Sequence, residues 1–470
     1  QSTWGNHLTL LLMAVSPTGA LISFTGETSV SSVSAYHCSF PSNTRRSSLS
    51  FSHPISRRAV HLVGAAHSYD VVIIGAGIIG LTIARELLTQ SNLSVAVVDK
   101  AVPCAGATGA GQGYIWMVHK APEKPTWNLS LRSRELWESF ADNVKLQGLD
   151  PSRELGWKKT GSMLIGRNER EVDELKSKVK ILNDSGLNSE FLDNHQLREA
   201  EPDLDASEEF AAAFLPDDCQ LDAQATVSYI LKSNRSFASL GRYAEFFNDP
   251  VMSLERSGSG EVTAVITSKN RLNLEKALVM ATGCWTGYLM RDLFSDAYGA
   301  LYVPVKPRKG HLLVVENSFP LALRHGLMEV GYAGHETTNP EDDAELLSVS
   351  MTATIDCNGN VLLGSSRQFA GFDSDVEESI VRRIWNRATE FFPKLRAFDV
   401  MKGNVRVGLR PYMSGGKPVI GRVPSSGNAF LAAGHEGEGL CLALGTAELI
   451  VGMVLQSSNV ADASLFAFPE

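Results

Sequence analysis

Two arginines near the C-terminal end of the sequence, Arg406 and Arg410, have a spacing that could bind an anion. On an extended strand both would point to the same face as Gly408, with apolar residues on the opposite face. A guanidinium group binds a carboxylate through two parallel hydrogen bonds. The pattern predicts that Arg410 holds an anionic ligand. The alternative is a structural arginine bonded to carbonyl or carboxylate groups of the sheet, which is the role expected for Arg406.

A glycine-rich turn could bind a second anion, a pyrophosphate. Gly75, Gly77 and Gly80 follow a β-branched run at 70–74 and precede a run of good helix formers. Such a turn lets the backbone approach a pyrophosphate at the helix N-terminus, where N–H groups lack partners. Asp99 ends the next apolar run and is placed to bind a ribose hydroxyl, which disfavours NADP. The spacing predicts dinucleotide binding and leaves NAD and FAD open.

Three later segments favour a flavin over a nicotinamide cofactor. The loop 104–113 is too rich in glycine for a helix and suits the face of a flat ring system. Residues 277–285 predict a buried strand that ends in a turn, as at a sheet edge returning to the nucleotide. Residues 429–439 lead into a helix over 440–454, whose first N–H groups could contact an electron-rich flavin ring.

The remaining apolar patterns predict a second layer of structure. Residues 129–144 and 172–182 carry apolar side chains at helical spacing, and 310–315 and 360–364 are typical of strands. No internal repeat or low-complexity segment follows residue 68.

Composition excludes several function classes. The 470 residues suffice for two or three domains, or for one domain interwoven with another. A net charge of −9 argues against a nucleic-acid-binding surface, which needs a basic face. The six cysteines are scattered and form no CxxC pair, so we expect reduced thiols and no metal site.

The first 68 residues differ from the rest. They are rich in serine, contain two pairs of adjacent arginines and carry a single acidic residue, Glu27. This composition is typical of a transit peptide, so we expect import into a chloroplast (plastid), with the mitochondrion or a plain disordered tail as alternatives. Met13 is the expected natural start, which would place Gln1 to Leu12 upstream of the peptide. The apolar run 8–15 is too short to span a membrane, and 440–455 is expected to be a buried helix, so no transmembrane segment is predicted.

The chain from about Tyr69 to about Leu455 resembles the D-amino-acid oxidase and glycine oxidase group of FAD-dependent oxidoreductases. The resemblance rests on an ordered set of motifs rather than on a single one. The motifs are GAGIIG (75–80), the Gly-Ala-Thr loop at 106–108, ATGCW (281–285), PRKGH (307–311), GLRP (408–411), GKPVIG (416–421) and GHEGEG (434–439). Gly111-Gln-Gly113 resembles the dehydrogenase branch, whereas GLRP with GKPVIG resembles glycine oxidase, so the subfamily stays open.

The resemblance implies an α/β fold in which a Rossmann-type FAD-binding domain is interwoven with a substrate domain that has a mostly antiparallel sheet. The FAD-binding domain would comprise 69–128, 206–300 and 404–470. The substrate domain would comprise 129–205 and 301–403, after a disordered transit peptide at 1–68.

The resemblance also implies the site residues and the reaction. Family members pass a hydride from the substrate α-carbon to flavin N5, so the protein must hold the substrate carboxylate, for which Arg410 is the candidate. His311 and Tyr412 are expected beside the substrate, with core packing as the alternative. Expected FAD contacts are Gly75, Gly77, Ile78, Ile79, Gly80, Asp99, Lys100, Thr108, Gly111, Gln112, Val251, Gly283, Gly434, His435, Glu436, Gly437, Gly439 and Leu440.

The implied substrate is a small amino or imino acid, and the implied electron acceptor is oxygen or a quinone-like molecule. No cysteine or histidine matches a covalent attachment point, so FAD is expected to bind non-covalently. Two alternatives stay open: oxidation of a 2-hydroxy acid, and an FAD-binding assembly factor without turnover.

Overall fold

Two eight-stranded sheets organise the chain in its computed structural model, which describes residues 66–294, 302–316, 321–331, 347–400, 403–424, 426–457 and 463–468. These residues all belong to one compact unit, His61–Glu470. The strands are β1 (Ala66–Ile74), β2 (Val95–Val98), β3 (Tyr114–Ile115), β4 (Ser162–Gly166), β5 (Glu190–Leu192), β6 (Ala211–Leu215), β7 (Cys219–Gln220), β8 (Tyr243–Phe246), β9 (Val251–Arg256), β10 (Val262–Thr267), β11 (Arg271–Met280), β12 (Lys306–Val315), β13 (Gly326–Glu329), β14 (Ser348–Ile355), β15 (Val361–Arg367), β16 (Asn404–Tyr412), β17 (Val419–Arg422) and β18 (Ala429–Ala433). The helices are α1 (Ile78–Gln90), α2 (Trp127–Leu146), α3 (Pro151–Glu154), α4 (Glu169–Asp184), α5 (Asn194–Ala200), α6 (Ala223–Arg235), α7 (Thr286–Leu293), α8 (Glu378–Phe391) and α9 (Gly439–Leu455).

The first sheet has the order β17-β18-β11-β1-β2-β8, and its five strands from β18 to β8 pair in parallel. β9 and β10 extend it as an antiparallel meander that returns to β11. The central strands are buried on both faces, which is why they are continuous apolar runs. Helix α1 connects β1 to β2, so the predicted strand–turn–helix–strand unit is confirmed.

The second sheet has the order β16-β12-β15-β14-β13-β4-β6-β5. Its neighbours pair antiparallel except for β13 and β4, which are parallel. Helix α8 packs its apolar face against one side of this sheet, where Ile384 and Phe391 meet Leu313 and Leu363 in a buried cluster. The predicted α/β fold class, with a Rossmann-type layer and a mostly antiparallel sheet, is confirmed.

Sheet membership cuts across the predicted domain boundaries at two places. Strand β6 and strand β16 both lie in the second sheet, although the sequence grouped 206–300 and 404–470 with the FAD-binding domain. Both strands complete hydrogen-bonded ladders with strands of the predicted substrate domain, β4 and β12. The boundaries themselves stay predictions, and residues 1–65, 295–301 and 401–402 lie outside the described residues.

Local elements otherwise follow the sequence patterns, with small shifts at their ends. Helices predicted at 129–144 and 172–182 extend over Trp127–Leu146 and Glu169–Asp184. The loop predicted over 104–113 contains one short 3₁₀ turn, Ala107–Ala110. Across the described residues no disulfide joins the five cysteines.

The last helix is the one described segment with the length and composition of a membrane span. Over Glu436–Leu455 the mean hydropathy is 1.7, and 61% of the apolar stretch is buried inside the structure. α9 packs in a core cluster with α1 and α2. It therefore serves as a core helix of this unit, as the sequence predicted.

Candidate active site

The glycine turn after β1 is shaped by close backbone packing. Gly75 has a φ of +117°, and a Cβ at this position would clash with the carbonyl oxygen of Ala281 at the end of β11. A Cβ on Gly80 would in turn clash with the carbonyl oxygen of Gly75. The two glycines thus let β1, α1 and β11 meet at one point, as the spacing predicted.

The N-terminus of α1 is open to an anion. Its N-cap residue, Gly77, has no side chain that could cap it, and no acidic residue lies in its first turn. The backbone N–H of Ile78 donates to Thr108 Oγ1 at 3.2 Å, and a Cβ on Gly77 would lie 3.3 Å from the same oxygen. Thr108 therefore reaches the turn from the later loop, and Ile79 and Gly80 follow in the first helical turn. Free N–H groups and the helix dipole favour a phosphate here.

Asp99 lies beside this turn at the end of β2. Its carboxylate accepts hydrogen bonds from the backbone N–H of Ala76 at 2.7 Å and of Ala101 at 2.8 Å. The backbone N–H of Asp249 donates to the carbonyl of Asp99 at 3.0 Å, which brings the start of β9, at Val251, to the same end of the sheet. The acid and the segment at 248–251 therefore lie together at this end of the sheet.

Lys100 packs across the aromatic residue of the ATGCW motif. Its Nζ lies 3.6 Å from the ring centroid of Trp285, and burial lowers the pKa of the lysine. Gly283, two residues earlier, would place a Cβ in open space. There is therefore open space beside Gly283 after the end of β11, and the side chains of Lys100 and Trp285 lie next to it.

The Gly111-Gln112 segment connects the two sheets. A Cβ on Gly111 would lie 2.8 Å from Leu440 Cδ1, at the start of α9. The amide of Gln112 donates to the carbonyl of Leu362 at 3.2 Å and accepts from Thr352 Oγ1 at 2.8 Å. The Gln112 side chain therefore bonds the second sheet, so any FAD contact it makes would come from its backbone.

The loop between β18 and α9 begins with two buried residues. Gly434 would clash with the side chain of Met413 if it carried a Cβ. His435 is buried, and its Nε2 lies 3.0 Å from Thr446 Oγ1 in α9. Burial lowers the pKa of His435 to about 4, so its imidazole is neutral at neutral pH. His435 fixes the loop to α9, while the start of the helix at Gly439 and Leu440 has no side-chain cap.

The next two residues of the loop, Glu436 and Gly437, lie beside the arginines of the second sheet. Glu436 Oε1 accepts a hydrogen bond from Arg308 Nη1 at 3.3 Å. A Cβ on Gly437 would lie 3.7 Å from the Tyr114 hydroxyl and 3.8 Å from Arg410 Nε. The loop thus brings a carboxylate, an open backbone position and the predicted anion-binding arginine to one place.

Glu438 is held by two basic residues from the segment after β3. Its carboxylate pairs with Lys120, and its Oε1 lies 3.1 Å from His119 Nε2. Burial by itself would raise the pKa of Glu438, but the charge of Lys120 and the hydrogen bond of His119 outweigh burial and hold the pKa well below its ordinary value. The carboxylate is therefore ionised, and it fixes the loop against residues 119–120.

Arg410 lies on the face of β16 that is turned toward the 3₁₀ turn at 107–110. A Cβ on Gly408 would come within 2.7 Å of Ala110 Cβ. The guanidinium group of Arg410 covers Gly310 of β12, where a Cβ would clash with it. Within the described residues its one hydrogen bond runs from Nη1 to the carbonyl of Ser366, at 3.0 Å. The Nε edge of the guanidinium group faces Gly437. The N–H groups on this edge could donate hydrogen bonds to a carboxylate.

Tyr412 shares this face, because alternate residues of a strand point the same way. It packs edge-on against Phe369, with centroids 5.1 Å apart, and the guanidinium carbon of Arg308 lies 5.1 Å from its ring centroid. Arg406 is turned to Asp356, with 3.8 Å between Nη2 and Oδ2, as a structural arginine would be.

His311 lies on the opposite face of the second sheet. It pairs in register with Val407, one residue out of phase with Arg410. Its Nδ1 lies 3.1 Å from Ser366 Oγ, and its Nε2 accepts a hydrogen bond from the backbone N–H of Glu377 at 3.1 Å, so Nδ1 carries the proton. Burial lowers the pKa of His311. The structure does not bring it together with Arg410, so its expected place beside the substrate is corrected to the packed alternative.

Sequence reasoning missed three groups that the fold brings to the site. Arg308 stands inside PRKGH and faces Arg410, Tyr114 follows the Gly-Gln-Gly segment, and Glu438 lies in GHEGEG. Each lies inside or next to a recognised motif, which was the available signal. Only strand register and the packing of the last loop could assign them a place.

The residues present fit a flavin dinucleotide. The cradle is defined by the N-terminus of α1, the acid at the end of β2, and the glycine loop that lies against the second sheet. The profile of the family described as FAD dependent oxidoreductase (DAO) matches residues 70–453. The chain belongs to this family.

Two curated relatives illustrate its diversity. Glycine oxidase of Geobacillus kaustophilus is 26% identical over 407 residues, covering 85% of this chain and 97% of its own length. D-amino acid dehydrogenase of Vibrio atlanticus is 24% identical over 437 residues, covering 83% and 97%. The crystal structure of the Geobacillus glycine oxidase superposes with a TM-score of 0.71 at 23% identity, covering 86% of this chain and 99% of that one.

Family membership establishes an FAD-dependent oxidoreductase, so the cofactor is FAD. The glycine turn, Thr108 and Asp99 lie close together at the N-terminus of α1, and the individual FAD contacts stay predictions. In this DAO-family chain the Arg410 face of the second sheet lies against the 3₁₀ turn at 107–110, where a Cβ on Gly408 would come within 2.7 Å of Ala110 Cβ.

Proposed function

We propose that this protein oxidises the carbon–nitrogen bond of a small amino or imino acid whose carboxylate is bound by Arg410. The observation that carries the proposal is the position of that guanidinium group. It lies between the second sheet and the loop at 434–439, with one edge bonded to Ser366 and the other facing Gly437. The names of the two curated relatives, an oxidase and a dehydrogenase of amino acids, support the same substrate class.

The residues of the site would orient the substrate rather than transfer its protons. A bidentate contact from Arg410 fixes the carboxylate, and Gly310 and Gly437 keep side chains out of the space around it. Tyr114 and Tyr412 supply aromatic walls that exclude water. His435, with its lowered pKa, stays neutral and serves the loop. Such positioning can account for a large share of a catalysed rate.

The proposed reaction balances as a two-electron oxidation. FAD, when bound, supplies the acceptor for a hydride. The substrate loses that hydride from its α-carbon and a proton from its nitrogen, which leaves an imine. Water then hydrolyses the imine to an oxo acid and an amine or ammonia. A substrate amine that arrives neutral needs no strong base, which agrees with the lack of an assigned one.

An anaerobic reduction assay on the FAD-loaded full chain tests the proposal. Flavin absorbance is followed while D- and L-amino acids, glycine, sarcosine, proline and 2-hydroxy acids are added in turn. We expect an amino or imino acid to bleach the flavin, and Arg410→Ala to abolish bleaching while FAD stays bound. Arg406→Ala is the matched control, since Arg406 contacts Asp356 instead, and it should bleach like the wild type.

Other outcomes would favour the two rivals. Bleaching by 2-hydroxy acids alone would identify a hydroxy-acid oxidase, because Arg410 could hold that carboxylate equally well. A yellow protein that no candidate reduces would favour an assembly factor. Amino-acid reduction that Arg410→Ala leaves unchanged would disprove the role of Arg410.

The electron acceptor is proposed to be oxygen or a quinone-like molecule. Reoxidation of the reduced protein by air and by a soluble quinone, compared at equal concentrations, distinguishes an oxidase from a dehydrogenase.

We also propose that the protein is imported into plastids, with mitochondria as the alternative. The serine-rich, arginine-containing composition of residues 1–68 supports the proposal. A fluorescent protein fused behind residues 1–68 should enter plastids in plant cells, and a diffuse cytosolic signal would contradict it.

A further inference from the structure

Two arginines face each other on the substrate side of the second sheet. Arg308 of β12 and Arg410 of β16 are direct partners in the antiparallel register, so their side chains leave the same face. Like charges at opposed positions destabilise a strand pair, and burying a guanidinium group is costly without negative charge nearby. Arg308 is only 7% exposed. One substrate carboxylate at Arg410 would neutralise only one of the two guanidinium groups. A further negative charge is therefore needed to stabilise the opposed pair.

Among the residues that the structure describes, the charges around Arg308 are unbalanced. One carboxylate, that of Glu436, attracts it, through a single contact of 3.3 Å. The guanidinium groups of Arg367 and Arg410 repel it, and together with burial, the largest cause, they lower the pKa of Arg308 despite Glu436. Arg367 makes contacts of its own, so it adds positive potential here and is not counted as a ligand. A second anion near Arg308 would relieve this repulsion.

Arg308 borders the space that Arg410 faces. Its carboxylate partner, Glu436, directly precedes Gly437 in the chain. Because Gly437 has no side chain, the space between the loop and Arg410 stays open. On its other side the guanidinium carbon lies 5.1 Å from the ring centroid of Tyr412 and 5.7 Å from that of Phe369. Opposed residues of antiparallel strands have Cβ atoms about 4.5–5.5 Å apart. Two long side chains so placed can reach both ends of one small dianion.

We propose that the substrate carries a second anionic group, which binds Arg308 while Arg410 binds the α-carboxylate. The substrate class is then an amino or imino acid with a second carboxylate, or an equivalent acidic group. The inference rests on the proposed function, since it assigns the substrate of that same site. In the free protein the guanidinium group of Arg308 pairs with the carboxylate of Glu436. When the substrate binds, its second anionic group replaces Glu436 as the partner of Arg308.

Matched substrate pairs test the inference in the FAD-loaded full chain. Anaerobic flavin reduction is titrated with aspartate against asparagine, glutamate against glutamine, and iminodiacetate against sarcosine, using both enantiomers where they exist. We expect the dianionic member of at least one pair to reduce the flavin at a half-saturating concentration lower by about tenfold to a hundredfold, the value of one charge-assisted hydrogen bond.

Variants then assign the preference to Arg308. Arg308→Gln should raise the half-saturating concentration of the dianion by a similar factor and leave that of its neutral-side-chain partner within about threefold. Arg308→Lys should restore part of the preference, because it restores the charge. Arg406→Gln removes an arginine from the same face near Asp356 and should leave the preference intact.

Two results would overturn the inference, and they are distinguishable from failure of the proposed function. Equal reduction by both members of every pair, changed alike by Arg308→Gln, overturns it while amino-acid oxidation stands. If no compound reduces the flavin, the oxidation proposal fails, and a binding experiment tests the anion pair instead. Malonate and acetate are titrated into the protein, and the change in the flavin spectrum reports their binding. A malonate preference that Arg308→Gln removes supports the anion pair, and equal or absent perturbation rejects it.

Discussion

The nucleotide cradle and the arginine face of the second sheet are adjacent regions built in different ways. The cradle is made by backbone: Gly75 and Gly80 let three elements meet, and the N-terminus of α1 offers N–H groups without a cap. The arginine face is made by side chains, Arg308 and Arg410, that only the β12–β16 register brings together. Backbone-built sites fail when an atom is added, whereas side-chain-built sites fail when a charge is removed.

The loop 434–439 belongs to both regions. Its backbone leads into the uncapped start of α9, and its side chains pair with Arg308 on one side and with Lys120 on the other. Damage to this loop should therefore affect cofactor binding and substrate binding together. Substitutions confined to either region should separate the two effects.

The largest effect is expected in the cradle. In Gly75→Ala the new Cβ would clash with the carbonyl of Ala281, at a φ of +117° that L-residues rarely adopt. We expect a loss of about 3 kcal/mol or more in the free energy of unfolding, together with loss of FAD. Denaturant unfolding and the absorbance of bound flavin measure both. Gly258→Ala, where a Cβ meets no atom within 4 Å, is the control and should stay yellow and stable. A yellow, stable Gly75→Ala protein would show that the cradle tolerates added atoms.

The next effect concerns the shared loop and depends on pH. The pKa of His435 is lowered from 6.5 to about 4 by burial. The unfolded chain therefore takes up a proton near pH 6.5 that the folded protein does not accept until about pH 4. The free energy of unfolding should fall as pH drops through this window, by about 3 kcal/mol from this group.

His435→Gln should flatten that pH dependence, measured by denaturant unfolding of the FAD-loaded chain at several pH values. Its hydrogen bond to Thr446 is also changed, so the slope with pH is the diagnostic quantity and not the stability at one pH. His195→Gln makes the same change at an exposed helical position, and its slope should match that of the wild type. Equal slopes in all three proteins would contradict a buried, neutral His435.

A smaller effect tests whether the arginine face depends on shape as well as charge. Arg410→Lys keeps the positive charge but loses the planar fork that binds a carboxylate in two hydrogen bonds. We expect the half-saturating substrate concentration in anaerobic flavin reduction to rise by about tenfold to a hundredfold, with FAD retained. A change below threefold would mean that Arg410 acts only as a point charge, or does not touch the substrate.

The smallest effect on chemistry is expected on the reverse side of the same strands. His311→Gln should lower the free energy of unfolding by about 1–2 kcal/mol through lost hydrogen bonds to Ser366 and Glu377. Flavin reduction should change less than threefold, because the imidazole faces α8 and not the cradle. A large loss of flavin reduction at unchanged stability would return His311 to the substrate site.

Much of the fold was predictable because its patterns are local. The continuous apolar runs of β1 and β2 and the apolar spacing of α2 and α4 follow from the period of each element, and only their ends shifted by a few residues. The sheet to which β6 and β16 belong was not predictable locally, since both join the second sheet through ladders with strands that are not their neighbours in sequence.

The sequence by itself predicted the glycine turn of the cradle, because its glycine spacing between an apolar strand and a helix is a local pattern. The contact of Gly75 with the carbonyl of Ala281, beyond β11, is a tertiary one that this pattern does not contain. It also predicted that Arg406, Gly408 and Arg410 share one face, since side chains alternate along a strand, and the role of Arg410 toward a substrate stays a prediction. Only the tertiary structure decided that His311 lies on the reverse face and that Arg308 opposes Arg410. Those relations depend on the register between β12 and β16, which are separated by about ninety residues of chain. A shift of one residue in that register would exchange the two faces, so no local pattern could have specified them.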